Sequence, residues 1–324
     1  MPFWSAVGLV VAGCGDQEPG AFAPRGSVAQ QIGGLTLVLV VLGAAVFVLV
    51  VVALGLAVRS APSESGSDFQ AARSRRLVIG GGVVLPVIVL VPLTVAMLVT
   101  GSHLTHREGE VGLTIEVVGH QFWWEVRYPD HGVVTANEIY LPVDTPIRLL
   151  LTSADVIHSV WVPQLAGKID MIPGKTNELR FDADSPGVFR GFCAEFCGLQ
   201  HGRMHFLVIA QSHEDFETWV TEQAIPAADP PDEAGAEGLA LFVEYGCAAC
   251  HTIRGTEADG VTGPDLTHLA SRRTLGAGTV PNRRGNLAGW VVDPQGIKPG
   301  NLMPPTPLDG EELNRLLQYL ESLR

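Results

Sequence analysis

The chain has 324 residues, 17% of them charged, with a formal net charge of −13 and a positive mean hydropathy of +0.26. Disorder needs low hydrophobicity with high charge, so that class is excluded, and the apolar balance points towards membrane proteins. A nucleic-acid partner is disfavoured because phosphate binding needs clustered Lys and Arg. The charge is also segregated. Residues 1–100 carry five basic and four acidic side chains, residues 101–225 eight and seventeen, and residues 226–324 eight and thirteen. An apolar anchor followed by acidic, water-soluble modules is the organisation this implies.

In chain order, the first marker is Cys14. It follows the short apolar run Val7–Gly13, and Val-Ala-Gly-Cys resembles a bacterial lipobox. Residues 1–14 are therefore expected to be a signal segment ending in a lipid-bearing cysteine. No Lys or Arg precedes the run, and a buried or incidental thiol stays open as the alternative. Ile32–Val58 and Leu77–Thr100 are then free of charged residues for 27 and 24 residues. Each exceeds the roughly 20 residues that span hydrocarbon, so a transmembrane helical hairpin is predicted over 30–102. Its connecting loop carries Arg59, Arg73, Arg75 and Arg76, which places that loop in the cytoplasm and everything after residue 102 outside.

Residues 108–224 change character. Short apolar or alternating stretches (Leu113–Val118, Phe122–Tyr128, Glu138–Leu141, Ile147–Leu151, Glu178–Phe181, Phe206–Ile209) are separated by turn signals such as Tyr128-Pro129-Asp130 and Ile172-Pro173-Gly174. That spacing predicts an all-β sandwich or barrel, closed by a short helix over 213–223. Residues 225–236 have the Pro-, Gly- and acid-rich composition of a linker. Residues 237–324 read as helical and loop-rich. Asp309 followed by Glu312 starts a last helix, whose apolar stripe is Leu313, Leu316, Leu317 and Leu320.

Two constellations carry chemistry. In the first, Cys193, Cys197, His201 and Met204 fall within twelve residues. Thiolate and thioether are soft ligands that favour copper, and imidazole suits it too, whereas a zinc site would make no use of a methionine. A further histidine is required, and His158, in Asp155-Val-Ile-His158-Ser159, is the candidate. In the second, Cys247-Ala-Ala-Cys250-His251 is the C-x-x-C-H attachment signature for c-type haem, with His251 as proximal ligand. The sixth ligand should be Met303, in Gly300-Asn-Leu-Met303-Pro304, or His268; His268 is expected at the surface. Arg272, Arg273, Arg283 and Arg284 could steer a donor or simply solvate this module.

With Gly119-His120-Gln121-Phe122-Trp123-Trp124, Asp155–Ser159 and the cysteine loop through Met204 in hand, residues 30–220 resemble subunit II of haem-copper cytochrome oxidases. Residues 237–324, with Gly263-Pro264 and the Met303 loop, resemble a small class I cytochrome c. The resemblance implies a multi-domain membrane protein: two transmembrane helices, an all-β cupredoxin-like domain and a fused all-α class I cytochrome c domain. It implies a CuA centre of two copper ions bridged by Cys193 and Cys197. His158 and His201 would bind one copper each, with Met204 and the Glu195 carbonyl as weak axial ligands. The Glu195 carboxylate would share a magnesium ion with subunit I. Pro264 would accept from the proximal imidazole. Phe122, Trp123 and Trp124 match the segment that receives electrons, although the family pattern begins with tryptophan where this chain has Phe122. The implied role is relay of electrons from haem c through CuA to haem a of subunit I, in a proton-pumping oxidase of the bacterial plasma membrane. Subunit III would be a further partner, and cytochrome c or a quinol–cytochrome c reductase complex the donor. The region around Ile79 is apolar where mitochondrial members place a proton-channel glutamate, which argues against a proton-entry role for this chain. Nitrous oxide reduction would need an additional histidine-rich domain, and a copper chaperone would have no use for the haem motif.

Overall fold

The computed structural model describes residues 20, 23–59, 68–105 and 111–324. Cys14 and the rest of residues 1–14 lie outside them. The described residues fall into two units, one within Gln30–Gly109 and the other made of the residues before Gln30 and from Glu110 onward.

The first unit is helical: α1 (Ser27–Arg59), α2 (Asp68–Ile79) and α3 (Leu85–Thr105). By length and composition two stretches can cross a membrane, the 33 residues of α1 and the 29 residues of Ser74–Ser102. Hydroxyls inside them are satisfied within the helix: Thr36 Oγ1 donates to the Ile32 carbonyl and Thr94 Oγ1 to the Leu90 carbonyl, both at 2.8 Å, as a waterless surrounding demands. Between α2 and α3 lies a π-helical turn, Gly80–Val84, where the Leu85 N–H reaches back to the Gly80 carbonyl. Pro86 has no N–H to give to the preceding turn, and three consecutive glycines let the ladder slip by one residue.

The second unit begins with a β-sandwich. One sheet has the order β3 (Val133–Ala136), β2 (Trp123–Tyr128), β1 (Leu113–His120), β5 (Ile147–Ser153), β8 (Asn177–Phe181). The other has the order β4 (Glu138–Pro142), β10 (His205–Gln211), β9 (Gly187–Cys193), β6 (His158–Trp161), β7 (Ile169–Met171). β1 and β5 alternate strictly between buried and half-buried positions, because one face of the pleat meets the opposite sheet. Trp124 on β2 and Phe206 on β10 meet edge to face at 5.2 Å across that core. Asn137, at φ 62°, turns the chain from β3 in the first sheet to β4 in the second. Its Oδ1 accepts from the Trp124 N–H at 2.9 Å, the local bonding that lets asparagine hold a left-handed conformation. Helix α4 (His213–Ala224) closes the sandwich; the Ser212 hydroxyl caps its first turn, and Trp219 stacks on Tyr140 at 4.3 Å.

Tyr128 pins the two sheets together. Its hydroxyl donates to the Tyr140 carbonyl at 2.9 Å and accepts from the Tyr140 N–H at 2.7 Å, and burial pushes its pKa up. Tyr128→Phe leaves a buried donor and acceptor without partners. A loss of about 1–3 kcal/mol of stability is expected, read as a lower denaturation midpoint of the β-sandwich. A midpoint equal to wild type would count against the pin.

The C-terminal module contains α5 (Glu233–Glu244), a two-stranded ribbon β11 (Thr274–Leu275) and β12 (Val280–Pro281), α6 (Arg284–Val292), α7 (Pro294–Ile297) and α8 (Gly310–Ser322). Asp309 and Glu312 form a capping box at the start of α8, whose Leu316, Leu317 and Leu320 join Phe242 and Tyr319 in the core. α5 and α8 cross at Gly238, where a Cβ would stand 2.3 Å from the Arg315 carbonyl oxygen.

The acidic stretch before the haem motif is fastened at both ends. Asp232 caps α5. The Ala227 N–H donates to the Arg254 carbonyl at 2.9 Å, and the Arg254 guanidinium donates to the Gln223 carbonyl at 2.5 Å. His268, expected at the surface, is instead buried, with its Nε2 3.0 Å from the Ile225 carbonyl: it is one of the groups holding this stretch down. Arg272 is buried as well, donating to the Asp265 carbonyl, so it is neither a solvating nor a steering charge.

Candidate metal centres

The end of β9, the start of β10 and the start of β6 converge on one point. Cys193 is the last residue of β9, and its N–H donates to the Met204 carbonyl at 3.0 Å, closing the base of the 194–203 loop. The Ala194 N–H donates to the Ser159 carbonyl at 3.0 Å, which ties that loop to the strand carrying His158.

Within this frame the candidate donors face one another. Cys193 Sγ lies 3.8 Å from Cys197 Sγ and 3.8 Å from His158 Nδ1. Cys197 Sγ lies 3.9 Å from His201 Nδ1 and 3.8 Å from Met204 Sδ. The Glu195 carbonyl oxygen is 3.2 Å from Cys193 Sγ. Ligands held at about 2.0–2.3 Å from one ion in tetrahedral directions stand roughly 3.3–3.8 Å apart, so these residues fit a shared soft-metal site. His158, Cys193, Cys197 and Met204 are all buried, which keeps water out. The Cys197 hydrogen bond and the nearby His158 pull the Cys193 thiol down against the cost of burial, while the neighbouring Cys193 pushes Cys197 up. A metal needs both sulfurs as thiolates, so its binding would release protons.

Two residues outside the candidate ligands organise the site. Asp155 Oδ1 is 2.8 Å from His158 Nε2, which leaves Nδ1 for the metal, and Asp155 Oδ2 accepts from the Gln121 N–H at 2.6 Å. Burial opposes ionisation of Asp155, but the hydrogen bonds from His158, Gln121 and Val156 outweigh it and lower its pKa. Gln121 Nε2 donates to the Cys197 carbonyl at 2.5 Å. A carboxylate or amide behind a ligand fixes its orientation. Sequence spacing did not single out Gln121, because nothing local in the sequence ties it to a cysteine 76 residues away.

The three aromatic candidates separate in the structure. Trp124 is core, 1% exposed. Trp123 stacks on His120 at 4.3 Å. Phe122 is buried against the metal loop: a Cβ on Gly198 would meet its ring at 3.2 Å.

In the C-terminal module Cys247 begins a single 3-10 turn, Cys247–Ala249, after α5. Cys250 is exposed and His251 half-buried. His251 Nδ1 lies 2.8 Å from the Pro264 carbonyl, and burial lowers the imidazole's pKa, so the neutral ring offers Nε2. Gly263 lies flat against that ring; a Cβ there would be 2.6 Å from His251 Cε1. Two thiols, an oriented imidazole and a side-chain-free wall are what a covalent haem requires, and the residues fit it. Met303 is half-buried in a loop that Gln295 holds, its Nε2 donating to the Met303 carbonyl at 3.0 Å and the Asn301 carbonyl at 2.8 Å.

The two modules are joined by more than chain continuity. Lys298 is 1% exposed; its Nζ donates to the Phe122 carbonyl at 3.0 Å and to the Gly276 carbonyl at 2.8 Å. Glu138 on β4, also buried, accepts from the Arg273 and Thr274 N–H groups at 2.6 and 3.3 Å. Burial raises its pKa, and those N–H groups with the Arg272 charge offset part of the rise.

Residues 132–211 match the family described as Cytochrome C oxidase subunit II, periplasmic domain, and residues 235–324 the family described as Cytochrome c. The cytochrome c oxidase subunit 2 of Alkalihalophilus pseudofirmus is 35% identical to this chain, with 98% of this chain and 94% of the relative covered. That of Bacillus subtilis is 30% identical, with 98% and 95% covered. The solved periplasmic domain of subunit II of cytochrome oxidase from Bradyrhizobium japonicum is 34% identical, covering 36% of this chain and 95% of its own, with a TM-score of 0.35. Matched along nearly its whole length, the chain belongs to the cytochrome c oxidase subunit II family, in the form that carries a C-terminal cytochrome c domain.

Proposed function

We propose that the chain is the electron-receiving subunit of a proton-pumping terminal oxidase, with a binuclear CuA centre in the sandwich and one covalent haem c in the C-terminal module. The observation that carries this reading is the set of soft donors of Cys193, Cys197, His158, His201 and Met204, linked at 3.8–3.9 Å in a largely buried pocket. When bound, haem and copper supply one-electron redox chemistry, taking electrons from a donor and passing them to haem a of subunit I for oxygen reduction.

Cys193 and Cys197 would hold both copper ions, His158 and His201 one each, and Met204 with the Glu195 carbonyl would be the weaker ligands. Asp155 fixes the His158 ring. Burial keeps the ligand geometry rigid, so little rearrangement accompanies each change of charge. The Glu195 carboxylate would help hold a magnesium ion at the contact with subunit I. Cys247 and Cys250 would hold the haem covalently, His251, oriented by the Pro264 carbonyl, and Met303 would bind its iron, and methionine ligation would raise the haem potential. Subunits I and III are the partners, and cytochrome c or a quinol–cytochrome c reductase complex is the donor. The protein sits in the bacterial plasma membrane with both metal-bearing modules outside and Cys14 as a lipid anchor.

The test is metal analysis and spectroscopy on the purified, copper-loaded oxidase. Two coppers in this chain, a mixed-valence copper signal by electron paramagnetic resonance and low-spin c-haem bands are expected. Zinc in the site, or a single cupric centre after full loading, overturns the reading.

A further inference from the structure

The sequence suggests a donor module on a flexible tether. The structure places a specific contact between the modules instead. Segment 297–300 lies along the loop that carries His201: Arg203 donates to the Ile297 carbonyl at 2.8 Å, and Gln200 Nε2 donates to the Pro299 carbonyl. A Cβ on Gly300 would stand 2.8 Å from Leu199 Cδ1. Three residues later the same strand of chain reaches Met303. One short strap therefore runs from the loop of one metal site to the candidate axial ligand of the other. Lys298 sits inside it, its ammonium bonded to one carbonyl from each module.

We propose that the strap Ile297–Met303, pinned by Lys298, is a fixed bridge between the two metal sites, so that charge passes between them in a permanently docked assembly and not through a swinging tether. The proposal rests on the copper and haem reading above. Lys298 acts as a positioning residue. A buried ammonium is costly unless hydrogen-bonded, and here both bonds go to backbone carbonyls; the Gly276 carbonyl also accepts from Thr279 Oγ1 at 2.6 Å, so the bond to the Phe122 carbonyl across the contact is the one that matters. The remaining links follow the same chemistry: the Arg203 and Gln200 side chains donate to backbone carbonyls, the His205 N–H donates to the Ala277 carbonyl at 3.0 Å, and Glu138 accepts from backbone N–H groups. Exposed ion pairs weaken with salt; apart from the exposed Arg203 bond, these are buried or half-buried bonds with uncharged backbone groups, which do not. The docked state is thus expected to persist at high ionic strength.

The amides of His205, Arg273 and Thr274 donate across the contact, so their hydrogen exchange reports on docking directly. The experiment uses the complete oxidase, after the copper and haem spectra have been recorded for each variant. If either signal is missing in wild type, the reading of the metal sites fails. If both are present, the exchange data judge the bridge alone. In wild type these three amides should be protected at both low and high salt. Lys298→Met keeps the apolar stem but takes the donor from the Phe122 carbonyl across the contact, and should speed exchange at these amides by about tenfold or more, equivalent to about 1.4 kcal/mol. Amides in the sandwich core and in α8 should be unchanged. Haem-to-copper electron transfer after flash reduction should slow in parallel. Lys298→Gln retains a donor and should fall between. Free exchange of the three amides in wild type, their loss of protection in salt, or wild-type protection and transfer rate in Lys298→Met would each overturn the bridge; should Lys298→Met fail to assemble, the wild-type and Lys298→Gln measurements decide it.

Discussion

Replacing Cys197 by serine is expected to abolish the copper centre while leaving the haem intact. Cys197 Sγ lies within 4 Å of three other candidate donors, Cys193 Sγ, His201 Nδ1 and Met204 Sδ. A serine hydroxyl is a harder ligand that does not ionise near neutral pH, so it cannot bridge two soft ions. Groups that merely orient a ligand are worth about 10–100-fold in metal affinity, and loss of a bridging ligand should exceed that. The mixed-valence copper signal should vanish, copper content should drop, and turnover should fall by roughly two orders of magnitude or more. The c-haem bands should match wild type, because Cys247 packs against a separate core and His251 is held by the Pro264 carbonyl. The variant should fold, since serine is close to cysteine in size and the loop base is held by the backbone bond from Cys193 to Met204. Retention of the copper signal would remove Cys197 from the site.

How much of this was readable from sequence depends on how local each determinant is. The alternating strands β1, β2 and β5 announce themselves because one face is buried and the pattern repeats within a few residues. β9 does not: its Gly191 breaks the pattern, and the reason is remote, since a Cβ there would lie 2.2 Å from the Phe206 ring on β10. β3 and β7, with four and three residues, are too short for periodicity to register. The cysteine loop stands out because its donors are crowded into one stretch, and His158 only because that stretch leaves a ligand wanting. Lys298, Arg272 and His268 had no legible signal. A lone basic residue in a loop ordinarily snorkels into solvent, and only contacts with residues far along the chain put these three inside. The contact between modules is invisible for the same reason: apart from the Arg254 bonds to the end of α4, its bonds join residues about 70 to 180 apart, and several use backbone atoms that carry no sequence label.

Gly263→Ala is the second substitution expected to have a large effect, and its argument is purely steric. A Cβ at 263 would lie 2.6 Å from His251 Cε1 and 2.8 Å from Nδ1, well inside van der Waals contact. Neither wall can retreat easily. The Gly263 N–H is bonded to the Cys250 carbonyl at 2.7 Å, and the imidazole is held by the Pro264 carbonyl at 2.8 Å, the very next residue. The methyl must therefore turn the ring and break that bond, at a cost of about 1–3 kcal/mol for overpacking. Covalent attachment through Cys247 and Cys250 is untouched, so a denatured pyridine complex should still report one haem per chain. In the native oxidase, by contrast, the low-spin bands should weaken as the misdirected Nε2 loses the iron, and the module's thermal midpoint should fall by several degrees. Gly260→Ala separates this from a general intolerance of side chains in the loop. Its Cβ would press on the Ala249–Cys250 backbone at 2.5 Å and not on the imidazole. It should lower the thermal midpoint while the folded fraction keeps its low-spin spectrum. If Gly263→Ala gave wild-type bands, the glycine would not be what clears space for the ring.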